Sequence, residues 1–531
     1  MKYVVVVADP VNERGLEILR ALQELDVVYA AGKPDRLAEA LPGAHALLVR
    51  SETKVTDQMM AAGPALRVIG RAGMGVDNID VEAATRRGIA VMNTPGGNTV
   101  SAAEHALALL LALVRRLPWA AESMRRGEWD RKRFGGRELR GKVLGLVGLG
   151  RIGSHVATVA RALGMDVLAH DPFLPEPRAA ELGVKLMPLD DLLKRVDALS
   201  LHLPATSETK MLIDRRRIGL LKKSAVIVNT ARGGLLDEAA LLEAVEGGRL
   251  HGAALDVFEQ EPLPADSPLR KSDRIILTPH LAASTAEAQE RVSLEICRSV
   301  RDALLTGVIG GAVNIPGLSS DVVMRLRPLL DLGRAIGRLV ASICPGRIEA
   351  IEVHYGGADE DAPRPAALAV VEGALAAMGV APVSMVNAGA LAEARGIAVV
   401  RRIGSPEPGF GTTLGVSVRA GERATSVTGA VFGDRVGRVI RIGEFGVDLI
   451  PEGYVIVLRN RDVPGVIGRV GTSIGEARIN IGSYHVSRRD REALAVIAVD
   501  QLPDGTLLKT LEGLPGVLEV RLARLTADPG D

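Results

Sequence analysis

The chain has 531 residues, enough for three or four domains of roughly 100 to 200 residues, each able to bury its own core. At 47% hydrophobic and 24% charged residues its composition is that of an ordinary globular protein, which excludes wholesale disorder and a fibrous class. Lys and Arg number 65 against 64 Asp and Glu, so a formal charge of +1 gives no global attraction for nucleic acid or an anionic membrane, and an anionic ligand has to be met locally.

Two cysteines, Cys297 and Cys344, make no disulfide framework, and no Cys/His cluster has the spacing of a metal site. No metal is expected, and a reducing, cytoplasmic setting fits. The apolar run Val4 to Val7 reads as a first strand, too short for a signal peptide. The longest apolar run, Ala106 to Val114, falls well short of the roughly 20 residues that span a bilayer.

From residue 1 to about 315, short apolar runs alternate with segments of helical period, the pattern of parallel sheets covered by helices. Strands are expected at Val4 to Ala8, Ala46 to Val49, Val68 to Gly70, Val143 to Val147, Asp166 to Ala169, Ala198 to Leu201, Ala225 to Asn229 and Ile275 to Leu277. Ser101, three residues ahead of Glu104, predicts a capping box opening a helix through about Arg116. The character changes near 316, where β-type alternation such as Ile348 to Tyr355 carries no catalytic cluster. After about 453, strands at Tyr454 to Leu458, Ile479 to Val486, Leu494 to Asp500 and Val517 to Leu522, with helices at Gly465 to Ala477 and near Leu507 to Leu511, give β-α-β-β-α-β, the order of a ferredoxin-like sandwich.

Gly148-Leu149-Gly150-Arg151-Ile152-Gly153 follows the strand Val143 to Val147 and opens the helical run Ile152 to Leu163. The first glycine permits the turn, the second lets backbone approach a pyrophosphate, and the third lets helix and strand pack closely. Asp171, at the end of the next strand, stands where the fingerprint needs an acceptor for a ribose 2′-OH, which favours NAD over a 2′-phosphate. Three further strand ends carry polar groups: Arg232 after Asn229-Thr230-Ala231, Glu261 in Asp256-Val257-Phe258-Glu259-Gln260-Glu261-Pro262, and His280 in Thr278-Pro279-His280. A cation for a carboxylate and carbonyl, an acid/base for a hydroxyl proton and an orienting carboxylate together suit hydride transfer at a 2-hydroxy acid. Arg71-Ala72-Gly73-Met74-Gly75-Val76-Asp77-Asn78-Ile79-Asp80 is compatible with a backbone anion nest.

These motifs, in this order over the first 315 residues, resemble the D-2-hydroxyacid dehydrogenases. The resemblance implies Arg232 on the substrate carboxylate, His280 as acid/base and Glu261 as its partner. It implies NAD contacts at Gly148, Gly150, Arg151, Ile152, Gly153, Asp171, Ala231, Asp256 and Ala283, and substrate contacts at Met74 and Gly75. Asn93 to Asn98, Gly127 to Phe134 and two extra C-terminal domains are similar to the long form of the phosphoglycerate dehydrogenases, implying D-3-phosphoglycerate as substrate. Arg50 and the cluster Arg131 to Arg133 are candidates for its phosphate. Asn460 to Gly465 with Ala477 to Ile481 resemble an ACT domain, implying L-serine as effector at Asn460, Asp462 and Asn480.

The expected fold is α/β: a flavodoxin-like, discontinuous substrate domain (1–97 and 282–315), a Rossmann-type NAD domain (98–281), an α+β intervening domain of the allosteric substrate-binding type (316–450) and a ferredoxin-like ACT domain (453–531). The family implies a homo-oligomer, as a tetramer, with no nucleic-acid or membrane partner. The rival readings are another 2-hydroxyacid dehydrogenase, such as a glyoxylate or 2-oxoglutarate reductase, and an NAD-sensing scaffold.

Overall fold

The computed structural model describes residues 2–307, 309–315, 319–433 and 435–526. The expected boundary at 316 lies outside the described residues, as do residue 1 and residues 527–531 at the two ends of the expected domain division.

The first sheet is parallel, in the order Leu25–Tyr29, Tyr3–Val7, Ala46–Val49, Val68–Arg71, Ala90–Met92. This is the 2-1-3-4-5 order of flavodoxin-like folds. Its central strands are apolar at successive positions because both faces are covered; all four residues of Ala46–Val49 are buried. The helix Ala286–Thr306 returns from far along the chain to cover one face. A side chain at Gly70 would stand 2.7 Å from Val300 and 3.0 Å from Ile296, so the small residue sets how closely the helix approaches.

The second sheet has seven parallel strands, in the order Lys185–Leu186, Asp166–His170, Val143–Val147, Ala198–Leu201, Val226–Asn229, Gly252–Leu255, Ile275–Leu277. Winding reverses between Val143–Val147 and Ala198–Leu201, and the crevice at the carboxyl ends there is where doubly wound sheets bind ligands. The sequence reading did not assign Leu25–Tyr29, Ala90–Met92 or Gly252–Leu255, short runs whose helical or loop neighbours share the same apolar residues.

The chain crosses between these bodies at the helix Thr99–Val114 and at the segment before Ala286. The expected capping box is not formed. Asn98 is the N-cap, without a side-chain cap bond, and Ser101 lies inside the first turn. Its buried hydroxyl donates to the Ala282 carbonyl (2.7 Å) and accepts from the Thr285 hydroxyl (3.2 Å). A long-range acceptor at the crossing outcompetes the local amide. Arg291 Nε donates to the Gly97 carbonyl (3.1 Å), so the two crossings are stitched side by side.

Beyond residue 319, the helices Ser320–Ile343 and Pro363–Ala377 pair closely, a side chain at Gly337 or Gly373 colliding with backbone of the facing helix. They cover a six-stranded sheet ordered Ala398–Gly404, Ala350–Gly356, Thr412–Ala420, Arg423–Phe432, Val436–Ile442, Phe445–Leu449, parallel only in its first pair. The last sheet, ordered Ile481–Arg489, Glu492–Val499, Tyr454–Arg461, Val517–Arg524, is antiparallel and packs under the helices Val466–Glu476 and Gly505–Glu512. This matches the expected β-α-β-β-α-β order. Among the described residues no helix is long and apolar enough to cross a membrane.

Candidate active site

The glycine loop has the geometry its spacing predicts. Gly148 has φ +91°, and a Cβ there would collide with the His202 carbonyl; one at Gly153 would collide with the Gly148 carbonyl. Gly150 differs, because a Cβ there would meet nothing within 4 Å. That open space fronts the N-terminus of the 12-residue helix Arg151–Ala162, whose unpaired amides and dipole favour an anion. Arg151 is exposed at the helix start and Ile152 is half-buried behind it. Asp171 follows the strand Asp166–His170 and accepts from the Leu149 amide (2.8 Å) and the Phe173 amide (3.0 Å), which fixes its carboxylate beside the loop. Phe173 is 93% exposed, and the residues on either side of it, Pro172 and Leu174, bring no cation for a 2′-phosphate. These features fit NAD.

His280 and Glu261 meet: Nδ1 lies 2.8 Å from Oε2. Burial raises the Glu261 carboxyl, but the hydrogen bonds from His280 and from the Phe258 amide outweigh it and leave the group below its ordinary value. The carboxylate is thus charged at neutral pH, Nδ1 carries the proton that faces it, and Nε2 is left for a substrate. His280 itself takes a left-handed turn, φ +55°.

That turn rests on Asp256, expected as an NAD contact. Asp256 is 0% exposed, and its oxygens accept from the Thr278 hydroxyl (2.6 Å), the Leu281 amide (2.8 Å) and the Ala282 amide (2.9 Å), with His105 Nε2 at 3.2 Å. It braces the loop that carries His280 because those amides converge on it. Ala231 and Ala283 stand in the flanking loops; the Ala231 carbonyl accepts from Arg232 and the Ala283 carbonyl from the Gln289 amide, both at 2.7 Å.

Arg232 follows the strand Val226–Asn229 and reaches across the cleft, its Nε donating to Asp77 at 3.0 Å. A side chain at Gly75 would collide with its guanidinium, so the glycine-rich segment after Val68–Arg71 is bare where the arginine lies against it. Met74 is held there by its carbonyl, which accepts from the Asn93 amide. Arg50 is half-buried on a loop pinned by Asp9, which accepts its amide (2.6 Å), and by Asn78, which donates to its carbonyl (2.7 Å). The sequence reading missed Arg71. Burial and then the charge of Arg232, with a smaller contribution from Arg50, lower its guanidinium to about 10, and its Nε is buried without a partner. Three arginines therefore share one wall, with Asp77 and Asp9 as the carboxylates that act on Arg71; the signal was present in the sequence as a third arginine at a strand end. Arg131, Lys132 and Arg133 are exposed in a turn capped by Asp130, whose carboxylate accepts the Lys132 and Arg133 amides (3.1 Å each).

The three effector candidates do not converge within one chain. Asn460 is buried at the end of Tyr454–Arg461 and donates to the Arg461 carbonyl (2.7 Å). Asp462 lies beside it, 3.5 Å from Arg488. Asn480 precedes Ile481, which pairs with Val499 and so sits at the Tyr454 end of the sheet, where it donates to Asp500 (2.8 Å). The strand between the two ends separates them by roughly 20 Å.

Three family models match: "D-isomer specific 2-hydroxyacid dehydrogenase, NAD binding domain" over residues 107–282, "D-3-phosphoglycerate dehydrogenase intervening domain" over 325–443, and "ACT domain" over 454–516. A solved D-lactate dehydrogenase from Aquifex aeolicus, complexed with NAD and lactic acid, is 33% identical, with a TM-score of 0.51 over 57% of this chain and 96% of its own. The chain belongs to the D-isomer specific 2-hydroxyacid dehydrogenases. The D-3-phosphoglycerate dehydrogenase of Synechocystis sp. is 41% identical over 98% of this chain and 94% of its own length, and that of Bacillus subtilis 38% identical over 98% and 99%. Within the wider family, the chain belongs with the D-3-phosphoglycerate dehydrogenases.

Proposed function

We propose that the protein oxidises D-3-phosphoglycerate at C2 to 3-phosphohydroxypyruvate, the first step of phosphorylated L-serine biosynthesis. The observation that carries this reading is the His280–Glu261 pair, with Nε2 free, together with the wall of Arg232, Arg71 and Arg50. NAD, when bound, supplies the acceptor for the hydride that leaves C2. Gly148, Gly150, Gly153 and the start of Arg151–Ala162 would hold its pyrophosphate, Asp171 its adenosine ribose, and Arg151, Ile152, Ala231 and Ala283 would line it.

Arg232 binds the substrate carboxylate and polarises the C2 oxygen. The backbone at Met74 and Gly75 meets the same carboxylate, and Arg50, with Arg71, takes the phosphate. His280 Nε2 removes the hydroxyl proton, and Glu261 stabilises the imidazolium that forms. Residues 1–97 and 282–315 serve as the substrate domain, 98–281 as the NAD domain, 316–450 as the intervening domain and 453–531 as the ACT domain. L-serine binds the ACT domain at Asn460 and Asp462 of one copy and Asn480 of a second, a division that the separation of these residues in one chain supports. The enzyme works as a homotetramer in the cytoplasm.

The test is the absorbance of reduced cofactor formed from NAD and D-3-phosphoglycerate at alkaline pH with product trapped, with and without millimolar L-serine. Turnover inhibited by serine is the expected result. Turnover with 2-hydroxyglutarate but not with D-3-phosphoglycerate would refute the substrate, and turnover indifferent to serine would refute the effector.

A further inference from the structure

The seven-stranded sheet has a second edge, at the amino ends of its strands, away from the glycine loop. There Lys222 and Lys223 lead into Val226–Asn229, His251 into Gly252–Leu255 and Arg274 into Ile275–Leu277. Arg116, in a left-handed turn after the helix Thr99–Val114 (φ +55°), and Arg137 line the same space. Between them is a cavity of about 640 Å³.

Counter-charge is scarce. Asp273 is the one carboxylate lining this cavity among the described residues, and Lys222 pairs with Asp197 at its margin (3.0 Å). No carboxylate lies within ion-pair reach of Arg116, Arg137 or Arg274 among the described residues. Instead Arg137 donates to the Ser224 carbonyl (2.8 Å) and lies 3.2 Å from His251 Nδ1, Arg274 donates to the Val245 carbonyl (3.3 Å), and Arg116 stands over the Trp119 ring, 5.7 Å from its centroid. Carbonyls, an imidazole and an indole face carry only partial negative charge, and each guanidinium has donors left over. His251 registers the resulting field: burial first, then the charges of Arg137, Arg116 and Arg274, hold its imidazole below the ordinary value, which keeps it neutral as the acceptor for Arg137.

We propose that this cavity is an anion site, separate from the substrate cleft, that binds a phosphate ester or oligophosphate of at least two negative charges through Arg116, Arg137, Arg274 and Lys223. Planar forks that donate in pairs fit the tetrahedral oxygens of phosphate, and several converging on one cavity select a multiply charged group. A net charge of +1 and one bounded cavity do not suit a nucleic acid.

The experiment is calorimetric titration of the full chain with inorganic pyrophosphate, and in a second arm with ribose 5-phosphate, in wild type, R232Q and R137Q/R274Q. With the glycine loop filled by saturating NAD, two classes of site are expected. R232Q weakens the one in the cleft, where Arg232 adjoins the phosphate-binding Arg50 and Arg71, while R137Q/R274Q weakens the other by at least about tenfold and leaves turnover of D-3-phosphoglycerate unchanged. K223E, at an exposed position, gives the same loss if the double variant folds poorly. In wild type the ligand also raises the proton-NMR titration of His251, against the combined field of Arg116, Arg137, Arg274, Lys222, Lys223 and Asp273. Binding that is untouched by both R137Q/R274Q and K223E, or that vanishes entirely in R232Q, overturns the site. Binding of pyrophosphate without ribose 5-phosphate assigns the ligand as an oligophosphate, and binding of both assigns the phosphate group alone as the recognised element.

Discussion

In the cleft, Arg232, Glu261 and His280 are spread over nearly fifty residues of chain, yet they gather at one place. In the ACT sheet, Asn460 and Asn480 are only twenty residues apart and stand at opposite ends. The difference lies in strand direction. Every parallel strand delivers its carboxyl end to the same edge, so residues that follow successive strands collect there whatever their separation. Antiparallel neighbours alternate, and the loops of one sheet are dealt to two edges. Motif spacing thus brings the named residues together within one chain in the first case and leaves them apart in the second.

The largest effect that would test the catalytic side of this contrast is H280A. Turnover should fall by about 10³-fold, within the usual range for a lost acid/base, with NAD affinity unchanged by fluorescence titration. Survival of turnover would remove His280 from the gathered site. E261Q should lower kcat by about 10- to 100-fold as the imidazolium loses its partner. Because the Glu261 carboxyl lies below its ordinary value of 4.5, it is ionised throughout the neutral range, and the wild-type pH–rate profile should show no inflection from it above pH 4.5.

The two-copy side is tested by mixing chains. D462A and N480A should each lower serine sensitivity by at least about tenfold while leaving basal turnover intact. Co-refolded mixtures of the two should recover part of the inhibition, since some interfaces then pair an intact Asp462 with an intact Asn480. No recovery would mean that the effector site is not divided between copies.

The glycines divide in the same spirit. G150A should weaken NAD by about tenfold with Tm unchanged, because its new methyl meets only the ligand's space. G148A should lose about 1–3 kcal/mol of stability by chemical denaturation, since its backbone is left-handed and the His202 carbonyl is in the way. The smallest effect concerns His202, a half-buried imidazole whose desolvation lowers it to about 4. The unfolded chain takes up the proton near 6.5 and the folded one near 4, so stability falls as pH drops through that window, by up to roughly 3 kcal/mol. H202Q should flatten this part of the stability curve.

The fold of the first 315 residues was legible because fully buried parallel strands stand out as apolar runs between turns, and the last domain because its strands and helices alternate in period. The domain between them was not, since its paired helices and long antiparallel strands share the same Ala, Val and Gly. Glu261 and His280 were legible as strand-end residues with the right chemistry. Asp256 was legible as a carboxylate beside the catalytic loop, but its bonds to that loop's amides were not, because they depend on a turn far along the chain. Ser101 misled for a related reason, a distant carbonyl being invisible to local spacing. Arg71 was visible as the strand-end residue that heads the glycine-rich segment, but its burial near a second arginine is set by packing between the two sheets, which local sequence does not carry.

The stitched crossings at Gly97–Ser101 and Ala282–Arg291 have a mechanical meaning. A single tether would let the two catalytic bodies twist, slide and swing. Two tethers fastened to each other act as a door hinge, and suppress all but rotation about the line along which they lie. Arg50 and Arg71 are carried on one leaf of that door, Arg232 and the His280 loop on the other, so closing brings them together along one arc, and the registry of substrate against acid/base is built into the hinge line.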